Sequence, residues 1–317
     1  MNTLPVQPAY RLSAQSEEQR WLVSELWSEG AVGIVGGEPK CCKSFLALEL
    51  AVAVAAGLPA LRRFPVPHPG RVLLYAAEDA PHIVRRRLEG ICAVAGCELS
   101  ALDVQVITAP TLRLDLDEDR ERLQRTVAAF KPRLLILDPF VRLHRIDENA
   151  SSEVAPILAY LRELQRHHQL AVLLVHHAKK SAARLRAGQA LRGSSEFHAW
   201  GDSNLYLRRT SDGALTLTVE HRAAASLPPL ALELSAHGPT LALRILEKPD
   251  VPVTAPNSLD ERITRALQEA ARPLPLAQLR QLCRVRNATL HERLRALTAA
   301  GLLLRDAAGY HLATPPS

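Results

Sequence analysis

Short apolar runs recur through the first two thirds of the chain. They lie at residues 31–35, 71–77, 104–108, 133–137 and 170–175. Runs of this length that end in polar or turn-forming residues are typical of strands buried on both faces. Stretches with helical character separate them, at residues 43–57, 81–94, 117–130 and 151–168. The alternation of strand and helix predicts an α/β domain with a mostly parallel central sheet and helices on both faces.

The segments around this alternation have other patterns. Residues 1–11 are predicted to be an N-terminal lead-in, and the spacing of Trp21, Leu22 and Leu26 predicts a helix over residues 12–30. The stretch 58–70 contains four prolines, which exclude a continuous helix or a central strand. Two hairpins are predicted to extend the sheet, pairing residues 204–209 with 214–220 and residues 230–234 with 241–246.

A proline-rich stretch at residues 249–257 marks a change of pattern. We interpret it as a linker between a first domain, residues 1–248, and a second domain, residues 258–317. The second domain is predicted to contain three short helices and a hairpin, at residues 259–270, 275–283, 288–300, 302–305 and 310–313. This order resembles a winged helix-turn-helix, a module that binds DNA in many proteins and docks onto proteins in others.

Composition sets the class of protein. The 317 residues are 47% hydrophobic and 23% charged, which is typical of a globular chain. No apolar run of about 18 residues occurs, and the N-terminus lacks the pattern of a signal peptide, so we expect a cytoplasmic protein without a membrane partner. The five cysteines are odd in number and lack paired C-x-x-C spacing, so we expect free thiols rather than disulfides or a zinc site.

A pattern typical of phosphate-binding loops follows the first apolar run. Residues 37–44 nearly fit the pattern G-x-x-x-x-G-K-[ST], in which backbone N–H groups surround phosphates, the lysine reaches the outer phosphates and the hydroxyl holds Mg²⁺. Cys42 occupies the position of the second glycine, where a side chain restricts the backbone. An ordinary strand, turn and helix with a chance Lys-Ser pair is the alternative. The candidate residues for binding ATP and Mg²⁺ are Gly37, Glu38, Pro39, Lys40, Cys41, Cys42, Lys43, Ser44 and Phe45.

Polar residues follow three other apolar runs. Glu78 is a candidate base for an attacking water or, alternatively, a carboxylate that favours the start of the next helix. Asp138 follows an apolar run, and a carboxylate in this place is a candidate Mg²⁺ ligand together with Ser44. His176 and His177 are candidates for sensing the outer phosphate, or are strand-end histidines bonded to the backbone. Because parallel strands end at one edge of a sheet, these residues are expected to meet there.

Positive charge concentrates in two places. The segment 178–196 carries five cations before its first acid, so it is predicted to contact nucleic acid or a neighbouring subunit's nucleotide, or else to be a solvated surface loop. Residues 258–317 hold nine arginines and five acids, which supplies +4 of the net charge of +6. The candidate DNA-binding residues are Lys179, Lys180, Arg184 and Arg186 in the first place, and Arg284, Arg286, Asn287, Thr289 and Arg293 in the second.

The order and spacing of these motifs over residues 15–247 resemble the RecA-like P-loop ATPases of the AAA family, and most closely the RepA-type replicative helicases of plasmids and their phage relatives. The resemblance implies a ring-forming hexamer that hydrolyses ATP while acting on DNA, with single-stranded DNA in the ring. It implies phosphate and Mg²⁺ binding by Lys43 and Ser44, a catalytic carboxylate at Glu78 and a second Mg²⁺ ligand at Asp138. A sensor at His176 or His177 and an arginine finger at Arg192 are also implied.

Two other functions fit the same residues. Cys42 departs from the family pattern, and this motivates a DNA-binding regulator that uses ATP as a structural ligand with weak or no hydrolysis. A recombination or repair ATPase of the RecA type is the other, distinguished from the helicase by a filament in place of a closed ring.

Overall fold

The computed structural model describes most of the chain. The described residues are 4, 6–12, 20–177, 196–209, 214–238, 240–246, 259–270, 272–283, 285, 287–306 and 308–313. The chain divides into two compact units, Met1–Glu247 and Lys248–Ser317. Among the described residues, no helix is both long and apolar enough to cross a membrane.

The first unit is built on a nine-stranded sheet. A short hairpin, β1 (Trp21–Val23) and β2 (Trp27–Ser28), precedes the sheet and is separate from it. The nine strands of the sheet are β3 (Val32–Gly37), β4 (Val72–Ala76), β5 (Val104–Val106), β6 (Leu134–Asp138), β7 (Ala171–His177), β8 (Ser203–Arg209), β9 (Leu215–His221), β10 (Leu230–His237) and β11 (Thr240–Ile245). The order across the sheet is β11-β10-β9-β8-β3-β7-β6-β4-β5. Pairing is parallel from β8 to β5 and antiparallel from β8 to β11. The mostly parallel sheet and both hairpins are therefore confirmed.

Helices cover both faces of this sheet. They are α1 (Lys43–Ala56), α2 (Pro81–Ala95), α3 (Asp117–Phe130), α4 (Ser151–His168) and the short α5 (Glu196–Trp200). Successive strand residues enter opposite cores, as the period of two requires. In β6, for example, Leu134 and Ile136 pack with α1 and α2, whereas Leu135 and Leu137 pack with α3 and α4. The two-sided burial explains why the strands are continuous apolar runs.

The helix predicted for residues 12–30 is wrong within the described part, residues 20–30. That stretch is the hairpin β1 and β2, and Glu25 in its turn has a positive φ of 60°. The N–H of Ser24 donates to the carbonyl of Pro65 at 2.8 Å, so the proline-rich connector holds the hairpin in place. Buried neighbours such as Leu22 and Val23 satisfy a helical spacing only partly, and tertiary contacts decide the outcome.

A glycine sets how closely β3 meets β8. A Cβ placed on Gly33 would lie 1.7 Å from the carbonyl oxygen of Ser203, so any larger residue would push the start of β8 away. The close approach lets β8 pair with the end of β3, where Gly37 lies opposite Leu207. This pairing brings the end of β8 alongside the loop that follows β3.

The second unit has the elements that the sequence predicted. They are α6 (Leu259–Ala270), α7 (Leu276–Cys283), α8 (Asn287–Ala299), β12 (Leu303–Arg305) and β13 (Tyr310–Leu312), with β12 and β13 antiparallel. A separate small core joins them, with members that include Ile263, Leu279, Leu290, Leu294 and Leu303. The three helices and the hairpin are confirmed, and the winged helix-turn-helix stays an interpretation of them.

Candidate functional site

The ends of four neighbouring strands, β3, β7, β6 and β4, define the candidate site. In the parallel register, Gly37 of β3 lies opposite His177 of β7, and Ala76 of β4 lies opposite Asp138 of β6. Strands of a parallel sheet end at a common edge, and ligands bind in the crevice beyond that edge. The sheet thus carries polar residues from distant parts of the sequence to one place.

A cleft of about 310 Å³ opens at this edge. Residues from the loop before α1, from the first turn of α1, from the ends of β4, β6 and β7 and from α2 line it. They are Lys40, Cys41, Cys42, Lys43, Ser44, Phe45, Ala76, Glu78, Asp79, Arg87, Asp138, Val175 and His177. The cleft therefore brings together most of the residues that the motifs single out. Gly37 ends β3, and Glu38 and Pro39 begin the loop that follows it.

Two residues of the loop before α1 hold left-handed backbone conformations although neither is glycine. Cys42 has φ 66° and ψ 24°, a left-handed conformation that favours glycine, and Lys40 has φ 64°. Among the described residues no side chain caps the first turn of α1, which begins at Lys43. Its N–H groups and the positive end of the helix dipole are thus available to an anion.

Lys43 and Asp138 place opposite charges inside the cleft. Lys43 is 5% exposed and its Nζ donates to the carbonyl of Glu38 at 2.8 Å, while burial lowers the pKa of its ammonium group. Asp138 is 8% exposed, and burial raises the pKa of its carboxyl to about 6, although a hydrogen bond from Ser44 opposes the shift. The nearby charges of Asp79 and Glu78 raise the pKa of Asp138 further. A bound cation would relieve this cluster of carboxylates.

Glu78 lies at the rim of the cleft. Its side chain is 42% exposed, and its Oε1 accepts a hydrogen bond of 3.1 Å from the Nε of Arg142. Arg142 ends the short helical turn that follows β6, so the pair connects two strand ends across the site. The contact orients the carboxylate and leaves it open to solvent, which suits a group that handles water.

Asp79 and Arg87 form a second pair at the cleft. Arg87 on α2 donates to Asp79, and its guanidinium lies 5.0 Å from the centre of the Phe45 ring. Asp79 is therefore engaged with α2 through Arg87, and Ala80 occupies the cap position of that helix. The pair closes one side of the cleft with a charged and an aromatic surface.

The two candidate sensors are separated by the alternation of the strand. His177 lines the cleft, whereas His176 is 1% exposed and faces the opposite side of the sheet. The ring of His176 stacks on Phe197 at 4.2 Å and lies edge to face with Phe140 at 5.7 Å. The geometry favours His177 as the residue beside a bound ligand and makes His176 part of the core.

The candidate DNA-binding residues and the arginine finger are only partly described. Thr289 is exposed on α8, and Asn287 begins that helix. Arg293 is also exposed but forms a two-pronged ion pair with Asp260 of α6, so it is held within its own unit. The remaining candidates, Lys179, Lys180, Arg184, Arg186, Arg192, Arg284 and Arg286, lie outside the described residues.

Sequence reasoning missed several residues at the cleft. Arg85, Arg86 and Arg87 look alike in the sequence, and of the three it is Arg87 that lines the cleft. Arg87 follows Asp79 by about two helical turns in the sequence. That spacing is the one signal that could have indicated the ion pair between them. No pattern in the sequence marks Arg142, which donates to Glu78, or Arg209, which donates to the carbonyl of Lys40 in the loop. Both contacts join residues that are distant in the sequence, so they depend on how the strands pair.

The chain resembles known proteins at two levels. A family model described as an AAA domain matches residues 2–183, more than half of the chain. Among solved structures, the crystal structure of the RadB recombinase has a TM-score of 0.50 and 17% sequence identity, and the match covers 69% of this chain and 92% of that chain. At this identity the likeness shows the fold alone, an α/β core like that of RadB.

The buried carboxylate gives a prediction about stability. We expect Asp138→Asn to raise the free energy of unfolding, without nucleotide or Mg²⁺, by about 2 kcal/mol at pH 7–8. The raised pKa of about 6 means that the charged carboxylate destabilises the folded state above that pH. The gain should shrink as the pH falls from about 6 towards about 4, where the carboxyl is protonated in both states.

Urea unfolding of the two proteins between pH 4.5 and pH 8 measures this difference. Asp117 of α3, whose side chain is 91% exposed, provides the control, and Asp117→Asn should change the free energy of unfolding by less than about 0.5 kcal/mol. A loss of stability in Asp138→Asn at pH 8, or a gain that grows towards low pH, would contradict the assigned cause.

Proposed function

The chain belongs to the AAA domain family, and from that premise we propose that it is an ATPase that binds and hydrolyses ATP at the cleft and couples hydrolysis to work on DNA. The observation that carries the proposal is the convergence of Lys43, Ser44, Glu78, Asp138 and His177 on one cleft next to the start of α1. Each residue type has a role in phosphoryl transfer to water.

The residues of the chain would divide the work as follows. Backbone N–H groups of the loop and the first turn of α1 bind the phosphates, and Lys43 balances the charge of the outer ones. Glu78, oriented by Arg142, positions the attacking water and accepts its proton. His177, at the end of the neighbouring strand, lies where it can contact the outer phosphate and respond to its loss.

The donor set of the cleft fits Mg²⁺. The hydroxyl of Ser44 and the carboxylate of Asp138 are hydrogen-bonded partners, and both offer the hard oxygen atoms that Mg²⁺ prefers. When bound, Mg²⁺ neutralises charge that develops on phosphate oxygens. The raised pKa of Asp138 adds to this fit, because a cation beside the carboxylate removes the cost of its charge.

DNA is the proposed partner of both units. The RadB structure is that of a recombinase, and the second unit carries a net charge of +4 over residues 258–317. We propose that this unit is a winged helix-turn-helix that tethers the ATPase to DNA through α8 and Arg284, Arg286, Asn287 and Thr289. Because Arg293 forms an ion pair with Asp260, we expect it to contribute less to DNA binding.

The resemblance to RepA-type helicases supports a hexameric ring with single-stranded DNA inside. In that ring the DNA strand would be contacted by Lys179, Lys180, Arg184 and Arg186, and Arg192 would reach the nucleotide of a neighbouring subunit. A plasmid or phage role in replication goes with that assembly. A filament on DNA, seen by electron microscopy, would favour the recombination or repair ATPase.

The conformation of Cys42 favours a second function. A non-glycine residue in the left-handed region costs about 1 kcal/mol or more, and here it lies where phosphates approach. A DNA-binding regulator that holds ATP and hydrolyses it weakly or not at all is therefore the alternative. It predicts that Cys42→Gly creates turnover that the natural chain lacks.

The Lys43 side chain provides the first test. We expect Lys43→Ala to lower the rate of ATP hydrolysis by about 100-fold or more, because no other lysine ammonium of the described residues lies buried beside the loop. Arg125→Ala, which removes an exposed cation from α3, is the control and should keep the rate within twofold. Phosphate release measures both. Normal turnover in Lys43→Ala would contradict the site assignment, and absent turnover in the natural chain that appears in Cys42→Gly would establish the regulator.

The two histidines form a matched pair for the second test. We expect His177→Ala to lower kcat about 10- to 100-fold with nucleotide affinity little changed, because His177 acts after binding. His176→Ala should instead lower the free energy of unfolding by about 2–4 kcal/mol, because it removes a ring packed between Phe140 and Phe197. Steady-state kinetics and urea unfolding separate the two effects. The reverse assignment, with kinetic loss confined to His176→Ala, would show that the sensor is on the other face.

A further inference from the structure

Arg209 lies beside the phosphate loop without belonging to any motif. It is the last residue of β8, two positions beyond Leu207, which pairs with Gly37 at the end of β3. Because the two strands run parallel, the end of β8 continues past the point at which β3 turns into the loop. The topology therefore delivers the Arg209 side chain to the loop from the strand next to it.

One nitrogen of Arg209 contacts the loop twice. Its Nη2 donates to the carbonyl oxygen of Lys40 at 3.2 Å and lies 3.9 Å from the Sγ of Cys42. The positive charge opposes the increase that burial causes in the pKa of the Cys42 thiol. The second contact exists only because residue 42 has a side chain, so it is specific to this chain's departure from glycine.

The two contacted residues are the strained ones. Lys40 has φ 64° and Cys42 has φ 66°, and both carry a Cβ in the left-handed region. Such conformations persist where surrounding contacts fix them. Arg209 contacts the backbone of Lys40 and the side chain of Cys42. It therefore holds the loop at the two residues whose backbone conformations are unfavourable.

We propose that Arg209 is a positioning residue that holds the phosphate loop in its nucleotide-binding shape through Lys40 and Cys42. The proposal rests on the nucleotide site proposed above and adds a role for a residue outside that site's motifs. Cys42 and Arg209 act together: the Cβ of Cys42 strains the loop, and its thiol gives the guanidinium a point of contact. With glycine at position 42, the loop needs less support.

A double-mutant cycle tests the proposal with the full chain. Dissociation constants of Mg²⁺-ADP and Mg²⁺-ATPγS are measured by calorimetry for the natural chain, Arg209→Gln, Cys42→Gly and the double variant. We expect Arg209→Gln to weaken binding of both nucleotides about tenfold, and only about two- to threefold when Cys42→Gly is present. Arg209→Lys, which keeps the charge but loses the planar donor, should fall between.

Arg208→Gln is the matched control. Arg208 precedes Arg209 on the same strand and points to the opposite face, so removing its charge should leave both dissociation constants within about twofold. Thermal unfolding of each variant checks that the fold is kept. If Arg209→Gln does not fold, Arg209→Lys with and without Cys42→Gly completes the same cycle.

Three outcomes would overturn the proposal. Unchanged nucleotide affinity in Arg209→Gln removes the role, and an equal loss with and without the Cys42→Gly substitution shows that Arg209 does not act through the strained loop. A loss with ATPγS but not with ADP shows that it contacts the outer phosphate directly. Lys43→Ala separates this failure from failure of the site itself, because intact nucleotide affinity in that variant contradicts the site whatever Arg209 does.

Discussion

Parallel pairing of β3 with β7 on one side and with β8 on the other is the constraint on which the candidate site depends. It places His177 beside the end of β3 and Arg209 beside the loop that follows. Gly33 permits the approach of β8, because its missing side chain leaves room for the carbonyl of Ser203. A shift of β7 by one residue against β3 would exchange the faces of β7 and turn His177 into the core, and the same shift of β8 would turn Arg209 away from the loop.

Burial makes the charged groups of the cleft costly. It lowers the pKa of Lys43 and raises that of Asp138, so it disfavours the charged form of both side chains. Two loop residues also hold left-handed conformations that their side chains disfavour. The surrounding sheet and the apolar packing of α1 supply the stability that tolerates these costs. A polyanion with a divalent cation would neutralise the buried charges and use the N–H groups at the start of α1, and this supports the proposed nucleotide ligand.

Much of the fold could be predicted from the sequence because apolar runs and helical spacing are local signals. The strands from β3 to β11 and the helices from α1 to α4 lie within a few residues of their expected positions, and so do the elements of the second unit. The hairpin of β1 and β2 could not be predicted, since contacts with the proline-rich connector outweigh the helical spacing of its apolar residues. The site was predictable only where a motif names a residue. Strand register decides which histidine faces the cleft and whether an arginine such as Arg209 reaches the loop. Register is set by pairing between distant segments, so it cannot be read from any one of them.

Steady-state ATP hydrolysis by the full chain, with and without single-stranded DNA, beside the Glu78→Gln variant, is the most direct test of the proposed DNA-dependent ATPase. Glu121→Gln, on the exposed face of α3, is the matched control for loss of a carboxylate. We expect turnover that DNA stimulates. Glu78→Gln should lose this turnover while still binding nucleotide, and Glu121→Gln should keep it. Tight nucleotide binding without turnover, with DNA present or absent, would contradict it and leave the regulator as the better description.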